Sequence, residues 1–380
     1  MIIPLFEPAL WVGLVTLPCT SALLISHHLG TWETPFRRQV ALVGLWAIAG
    51  LGSWAITASL WAWAVAAIGI VASWALRSPL RDYFLATRIL LTALIINVVA
   101  GVGLSIVFIN GLAISSLTRT LLLANLGVGL LSLPLILAAL LPTQAYILRK
   151  RWRRPRRSLP PQPRDHYPKV SFHVPSHAEP PEVVCATLDA LSRVRYPNFE
   201  VLLIDNNTVD PALWYPLKDR CEALNDKLES GAIASENRVH RPFRFFHVEG
   251  IKGAKAGALN FALEQTDPDA ELVSVIDADY QAQPNFLERL VGFFDDPNLG
   301  FVQTPHDYRG WQNNVYLRAC YWECMVFFRL QLSCLSEWTA SFIIGTMCIV
   351  RRQAIEQAGG WATWCLTEDS ESAVRIHALG

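Results

Sequence analysis

The eight cysteines, at positions 19, 185, 221, 320, 324, 334, 348 and 365, include no C-x-x-C pair. That removes the paired-thiolate signature of structural zinc sites and of thioredoxin-like redox motifs. Cys320 and Cys324 stand i,i+4, the spacing of one helix face, and the thiols read as free side chains of a reducing compartment. Net charge is also missing, since 32 Lys and Arg balance 32 Asp and Glu. No global field therefore selects nucleic acid or an acidic partner. Lysine is absent from residues 1–148 altogether. The first residues carry no basic n-region and are followed by further apolar segments, which argues against a cleavable signal peptide.

Apolar sequence is what the chain has in excess, with 52% hydrophobic residues, more than an average soluble protein carries. Residues 10–25, 89–109 and 121–147 are candidate membrane spans. Residues 40–76 form a run of 37 apolar-rich residues, too long for one crossing of about 20. A break at Thr57-Ala58-Ser59 divides it into a tight hairpin, so residues 1–148 are expected to cross a bilayer about five times. Five crossings gather Arg37, Arg38, Arg77, Arg81, Arg88 and the cluster at 149–157 on the cytoplasmic side and leave Arg119 opposite, as the positive-inside rule expects. Four would strand Arg37 and Arg38 outside. Residues 149–167 are a basic, Pro-rich linker. Placed directly after an apolar segment, it is expected to meet anionic lipid headgroups of the bilayer, with no nucleic acid involved.

From residue 168 to residue 380 strand and helix patterns alternate, the signature of a mostly parallel sheet in an α/β domain. Strands are expected at 170–174, 201–204, 243–248, 272–276 and 301–304, with helices at 182–192, 213–228 and 255–264. The run 272–276 is β-branched and uniformly apolar, as in a strand buried on both faces. It ends in Asp277-Ala278-Asp279, where open α/β sheets place their ligands. Two carboxylates there suit a hard cation such as Mg²⁺ or Mn²⁺, with substrate phosphates completing its shell. Taken alone, Asp-x-Asp reads equally as a turn or a helix cap.

Other clusters follow strands in the same way. Ser176-His177-Ala178-Glu179 follows the first, and Asp205 ends the second, where its carboxylate can accept from a base or a ribose. Lys252 to Asn260 mixes cations with small residues that let backbone approach a phosphate. Thr367-Glu368-Asp369 offers a carboxylate able to take a proton from a sugar hydroxyl. It is also an ordinary helix start, with Thr at the cap and acids in the first turn.

The ordered series VSFHVPSHAEPPEVV, FEVLLIDNN, KAGALN, VIDADY, FVQTPH, GT and TED resembles the membrane-bound family-2 glycosyltransferases, in particular the cellulose-synthase-like and bacterial β-glucan synthases. The resemblance covers residues 168–380. It implies a GT-A fold, Rossmann-like, on the cytoplasmic face of a bacterial inner membrane, using a UDP-sugar and Mg²⁺ or Mn²⁺. On that resemblance Asp205 matches the uracil-binding aspartate and Lys255 the lysine near the diphosphate, while Glu179 belongs to the nucleotide-contacting motif after the first strand. Asp277 matches the first Asp-x-Asp carboxylate, near the nucleotide, and Asp279 the metal ligand. Asp369 matches the catalytic base, with Glu368 beside it, and Gln303, Thr304, Gly345 and Thr346 would line the path of the glycan acceptor. The implied reaction is inverting transfer of a sugar, glucose by resemblance, to a growing β-glycan, in the company of possible synthase subunits.

Two features depart from that pattern. Ser-His-Ala-Glu stands where the family often has Tyr-Asn-Glu. A Gln-x-x-Arg-Trp motif and further transmembrane helices, which the family places after TED, do not occur in these 380 residues, so the sequence reads as truncated before that motif. A non-catalytic membrane protein that retains nucleotide binding, and a non-processive transferase to a lipid-linked acceptor, are therefore the competing expectations. The aromatic segment 311–335 reads either as an amphipathic element at a membrane surface, its place in the family, or as a buried helix.

Overall fold

The computed structural model describes residues 3–28, 35–154 and 165–380; residues 155–164 of the expected linker lie outside the described residues. The chain forms two compact units, Met1–Arg153 and Arg154–Gly380.

The first unit is helical: α1 (Ile3–His28), α2 (Pro35–Thr57), α3 (Trp61–Ala75), α4 (Leu85–Gly111) and α5 (Ser116–Leu148). Among the described residues, four helices contain a stretch long and apolar enough to cross a membrane, namely Leu5–Ile25, Arg37–Thr57, Leu85–Gly111 and Ser116–Leu135. The break inside 40–76 falls where expected, with Ala58 at φ 52°. The remaining one of the about five expected crossings is α3, a shorter apolar helix. Its 15 residues reach only about 22 Å at 1.5 Å per residue, short of a hydrocarbon layer of about 30 Å. The helix stops there because Arg77-Ser78-Pro79 follows, and a residue before proline is pushed out of helical geometry.

Helices α1 to α4 share a core that includes Val12, Trp46, Ala49, Ala62, Ile89 and Ala93. The Trp46 indole N–H donates to Ser73 Oγ (3.2 Å), and Ser73 donates to Thr92 Oγ1 (3.2 Å). A Cβ on Gly69 would stand 2.5 Å from the Trp46 ring. Small residues and short interhelical hydrogen bonds of this kind are what hold helices together where hydrocarbon surrounds them.

The second unit is built in chain order from β1 (Lys169–Ser176), α6 (Pro181–Leu191), β2 (Phe199–Asn206), α7 (Pro211–Glu229), β3 (Phe243–Val248), α8 (Ala254–Gln265) and β4 (Ala270–Val275). It continues with α9 (Phe286–Leu290), β5 (Phe301–Gln303), α10 (Val315–Met325), α11 (Leu332–Glu337), β6 (Cys348–Arg351), α12 (Arg352–Gln357) and α13 (Glu368–Ala378). Proline starts α6 at its first turn, and the Asp210 side chain caps α7 by accepting from Ala212 N, both good helix openings. The expected strands and helices all form, with bounds moved by a few residues.

The six strands lie in the order β3-β2-β1-β4-β6-β5. Pairings β1–β2, β1–β4 and β2–β3 are parallel, whereas β6 runs antiparallel to both β4 and β5. Sequence patterning missed β6, whose four residues are too few to show a period. Strand order reverses between β1 and β4, so a crevice opens at their carboxyl ends, where such sheets bind ligands. Beneath it lies one apolar core containing Phe172, Val174, Leu188, Leu203, Leu272 and Ile276.

The aromatic segment resolves into a two-faced element. Tyr321, Met325, Phe328 and Leu332 pack inward, while Val315, Tyr316, Trp322 and Val326 are exposed. A π-turn at Val326–Gln331 joins α10 to α11.

His173 on β1 is fully buried. Thr266 Oγ1 donates to the Ala262 carbonyl (2.8 Å) and so accepts from His173 Nε2 (2.8 Å), which leaves Nδ1 bare and unpaired. Burial, aided by the Arg352 charge, lowers the imidazole pKa from 6.5 to about 3. The unfolded chain takes up this proton near 6.5 and the folded one only near 3. Stability from this group is therefore intact above that window and lost as pH falls through it, by up to about 1.4 kcal/mol per pH unit. Denaturant unfolding between pH 7 and 4 is expected to show a shallower pH dependence in His173→Gln than in the parent; equal slopes would refute the assignment.

Candidate active site

The end of β2 organises one side of the crevice. Asp205 is buried and accepts from His247 Nδ1 on β3 (2.6 Å) and from Thr208 Oγ1 (2.6 Å). Trp214 of α7 stacks on the His247 ring at 4.3 Å between centroids. Thr208 also accepts from the Ala178 backbone N–H (2.9 Å), and His177 Nδ1 lies 2.5 Å from the Asn206 carbonyl. These two contacts tie the Ser176–Glu179 loop to the Asp205 strand end. Glu179 itself is exposed on that loop.

The two residues after Asp205 have separate tasks. Asn206 Nδ2 donates to the Ala254 carbonyl (3.2 Å). The Asn207 amide donates to the Ile251 carbonyl (2.8 Å) and accepts from the Ile251 N–H (3.1 Å). Together they hold the loop that delivers Lys255. That loop turns through left-handed Gly253 (φ 87°) and Ala254 (φ 49°) into α8. A Cβ on Gly253 would stand 2.7 Å from the Thr363 side chain, so the TED loop packs directly on the start of α8.

Lys255 is the point where distant segments meet. Its Nζ lies 2.5 Å from Asp277 Oδ1, 2.9 Å from the Gly345 carbonyl and 4.0 Å from Glu368 Oε1. A Cβ on Gly345, which sits at φ 66°, would stand 3.3 Å from both Lys255 Nζ and Asp369 Oδ2. Five of the expected site residues therefore share one small volume: Lys255, Asp277, Gly345, Glu368 and Asp369. Burial raises the Asp277 pKa, and the Lys255 ammonium opposes that rise. Burial likewise raises Glu368, opposed by its own backbone N–H and by Lys255. A carboxylate withdrawn from water in this way keeps its charge only beside a cation. Asp279 is exposed, one residue beyond the buried Ala278.

The expected acceptor residues are knitted to the same centre. Thr346 Oγ1 accepts from the Asp277 N–H (2.8 Å). Gln303 Nε2 donates to the Thr346 carbonyl (2.9 Å), while its Oε1 accepts from the Ile344 N–H (2.8 Å). Thr304 Oγ1 donates to the Met347 carbonyl (2.7 Å). The helix-start reading of TED holds: Thr367 occupies the cap position of α13 with Glu368 and Asp369 in the first turn, although the Thr367 side chain makes no capping hydrogen bond.

Several participants escaped sequence reasoning. Asn260 clamps the TED loop by accepting from the Trp361 N–H (2.7 Å) and donating to the Trp361 carbonyl (2.9 Å). His306 accepts at Nδ1 from the Tyr280 hydroxyl (3.1 Å) and faces the Thr346 carbonyl with Nε2 (3.4 Å). Burial lowers the His306 pKa and lifts that of Tyr280 to about 12, so a neutral ring meets a neutral phenol. Asn260 and His306 stand inside the KAGALN and FVQTPH segments, the one signal that could have drawn attention to them. His247 and Trp214 lie outside any motif.

Asp205 depends on two donors, and leaving a buried acceptor underpaired costs about 1–3 kcal/mol. His247→Ala is therefore expected to lower the thermal midpoint of the α/β unit. Glu249→Gln, changing an exposed carboxylate 3.7 Å from His247 Nε2, should leave the midpoint unchanged. Equal effects in the two variants would remove Asp205 as the cause.

Residues 171–359 match the family described as glycosyl transferase family 2. Cellulose synthase 1 of Komagataeibacter xylinus is 34% identical over 234 residues, which are 58% of this chain and 13% of that protein. The UDP-forming cellulose synthase catalytic subunit of Pseudomonas fluorescens is 28% identical over 223 residues, 57% of this chain and 27% of that protein. The chain thus matches well under half the length of either relative. A mannosyltransferase of Pyrobaculum calidifontis, solved with GDP-Man and Mn²⁺, superimposes with a TM-score of 0.45 at 19% identity, over 66% of this chain and 62% of that one. The family match makes the α/β unit a family-2 glycosyltransferase domain, and the chain is similar to cellulose synthases over 58% of its length.

Proposed function

We propose that the α/β unit transfers a sugar, glucose by its likeness to cellulose synthases, from a UDP-sugar to a growing β-glycan with inversion, at the cytoplasmic face of a bacterial inner membrane. One observation carries the reading. A lysine, two strand-end and helix-start carboxylates and a glycine backbone converge within 4.0 Å of Lys255 Nζ or beside it, at the switch point of the sheet.

In this reading Asp205, held by His247 and Thr208, receives the base of the donor. Lys255 places positive charge where the diphosphate would lie and opposes the rise that burial gives the Asp277 pKa. The acceptor hydroxyl oxygen forms its bond to the anomeric carbon as the bond from that carbon to the diphosphate oxygen breaks. The bonding pair leaves with UDP, and the hydroxyl proton passes to the Asp369 carboxylate. Gln303, Thr304, Gly345 and Thr346 form a hydrogen-bonded wall along which the acceptor is steered.

Among the described residues, no three His, Cys, Asp or Glu side chains form a preformed cation cage. The exposed Asp279 and the lysine-paired Asp277 offer one to two carboxylates instead. That donor set fits Mg²⁺ or Mn²⁺, which keep waters and complete their shell with substrate phosphates. A cation bound there would supply neutralisation of the leaving diphosphate.

Asp279→Ala in the full chain, assayed for UDP release from UDP-glucose in nanodiscs, is expected to abolish the divalent-dependent rate. Turnover equal to the parent's would refute Asp279 as the ligand. Asp369→Asn is expected to lower kcat by about 10²–10⁴ while UDP binding, read by calorimetry, stays unchanged. A loss of binding with kcat preserved would assign Asp369 to the donor instead.

A further inference from the structure

The turn that carries Asp277 and Asp279 has left the strand ladder, so its peptide groups need partners from elsewhere. The Ile276 N–H still donates to the His173 carbonyl on β1 (3.0 Å). Beyond it the Asp277 N–H donates to Thr346 Oγ1 (2.8 Å), and the Tyr280 N–H closes the turn on the Asp277 carbonyl (3.0 Å). That leaves the Ala278 carbonyl, which belongs to the peptide plane leading into Asp279. Ala278 is buried, and its carbonyl accepts from Thr187 Oγ1 of α6 at 2.7 Å.

Thr187 is a polar residue in an apolar place. It is fully buried on the same helix as Val184, Leu188 and Leu191, which belong to the apolar core. A threonine inside a helix ordinarily gives its hydroxyl proton to the carbonyl four residues back. Here that carbonyl, of Val183, stands 3.5 Å away, against 2.7 Å for the Ala278 carbonyl. A hydroxyl has one proton to donate, and the shorter contact takes it. The hydroxyl therefore serves the turn and not its own helix.

Asp279 shows why that matters. Its side chain is exposed and makes no hydrogen bond or ion pair with the described residues, whereas Asp277 is aimed by Lys255. With no side-chain contact to orient it, the direction in which Asp279 leaves the turn is set by the peptide plane before it. We propose that Thr187 is the positioning residue for the Asp279 carboxylate, locking the Ala278–Asp279 peptide so that Asp279 meets a divalent cation in a preset direction. This rests on Asp279 being the cation's ligand, as proposed above. Thr187 does not touch the cation; it acts through the backbone, as outer partners that orient metal ligands do.

The test follows Mn²⁺ binding by the full chain in nanodiscs with saturating UDP, read from the free-ion signal in electron paramagnetic resonance. UDP binding without metal, by calorimetry, and the melting temperature are measured alongside. Thr187→Val keeps the shape and removes the hydroxyl, and is expected to weaken Mn²⁺ affinity about tenfold with metal-free UDP binding unchanged. Thr187→Ser, which restores the hydroxyl, should return the affinity to the parent's. Val184→Ala, which loosens the same helix, should lower the melting temperature and leave Mn²⁺ affinity unchanged. If Thr187→Val fails to fold, Thr187→Ala takes its place in the same comparison. Parent-like Mn²⁺ affinity without the hydroxyl, an equal loss in Val184→Ala, or no recovery in Thr187→Ser would overturn the proposal. Asp279→Ala separates the two levels. Parent-like Mn²⁺ affinity there removes Asp279 as the ligand, whereas its loss there beside parent-like Thr187→Val removes only the role of Thr187.

Discussion

The α/β unit depends on one partly buried cation. Lys255 draws together a strand end at Asp277, a loop at Gly345 and a helix start at Glu368, segments separated by up to 113 residues (368 minus 255). An ammonium withdrawn from water is tolerable only when its N–H groups are answered, and here two are answered by a carboxylate and a carbonyl. The reverse also holds, because burial pushes the Asp277 pKa up and that same lysine opposes the rise. Neither charge is well placed without the other, so the loops carrying them are specified jointly. Gly345 belongs to the same constraint. Its positive φ and missing side chain let its carbonyl reach Lys255 while Asp369 comes alongside.

Around that centre, asparagines do the work of fastening backbone. Asn206 and Asn207 bind the loop that launches α8, and Asn260 binds the loop that launches α13. Amide side chains suit the task because each has donors and an acceptor and can satisfy both groups of a peptide that lies outside any ladder. The Asp205 side and the TED side of the crevice are thus held to one sheet through α8, whose inward face is packed by Ala258 and Ala262 against Leu202 and Ile204.

The helical unit solves a different problem. Its surface is apolar nearly all round, so burial alone does not dictate which helix faces meet. Close approach at Gly69 and the Trp46–Ser73–Thr92 chain supply the specificity. Charge is confined to helix ends, where it is solvated at lower cost than within hydrocarbon.

The sequence by itself determined the division into an apolar helical part and an α/β part, the identities of most elements, and the strand-end positions of Asp205 and Asp277. Each of these is written in a local signal: uninterrupted apolar length, alternation of strand and helix patterns, or a carboxylate placed just after a buried run. The tertiary structure alone decided the rest. It showed that β6 inserts antiparallel between β4 and β5, that α3 has only 15 residues, and that Thr367 sits at a cap position without a capping hydrogen bond. It also decided that His247 and Thr208 hold Asp205 and that Lys255 meets Asp277, Gly345 and Glu368. Those features are pairings between residues far apart in the chain. Their energy comes from desolvation and hydrogen bonding across the fold, and no periodicity within a short window encodes which distant partner will answer a given charge.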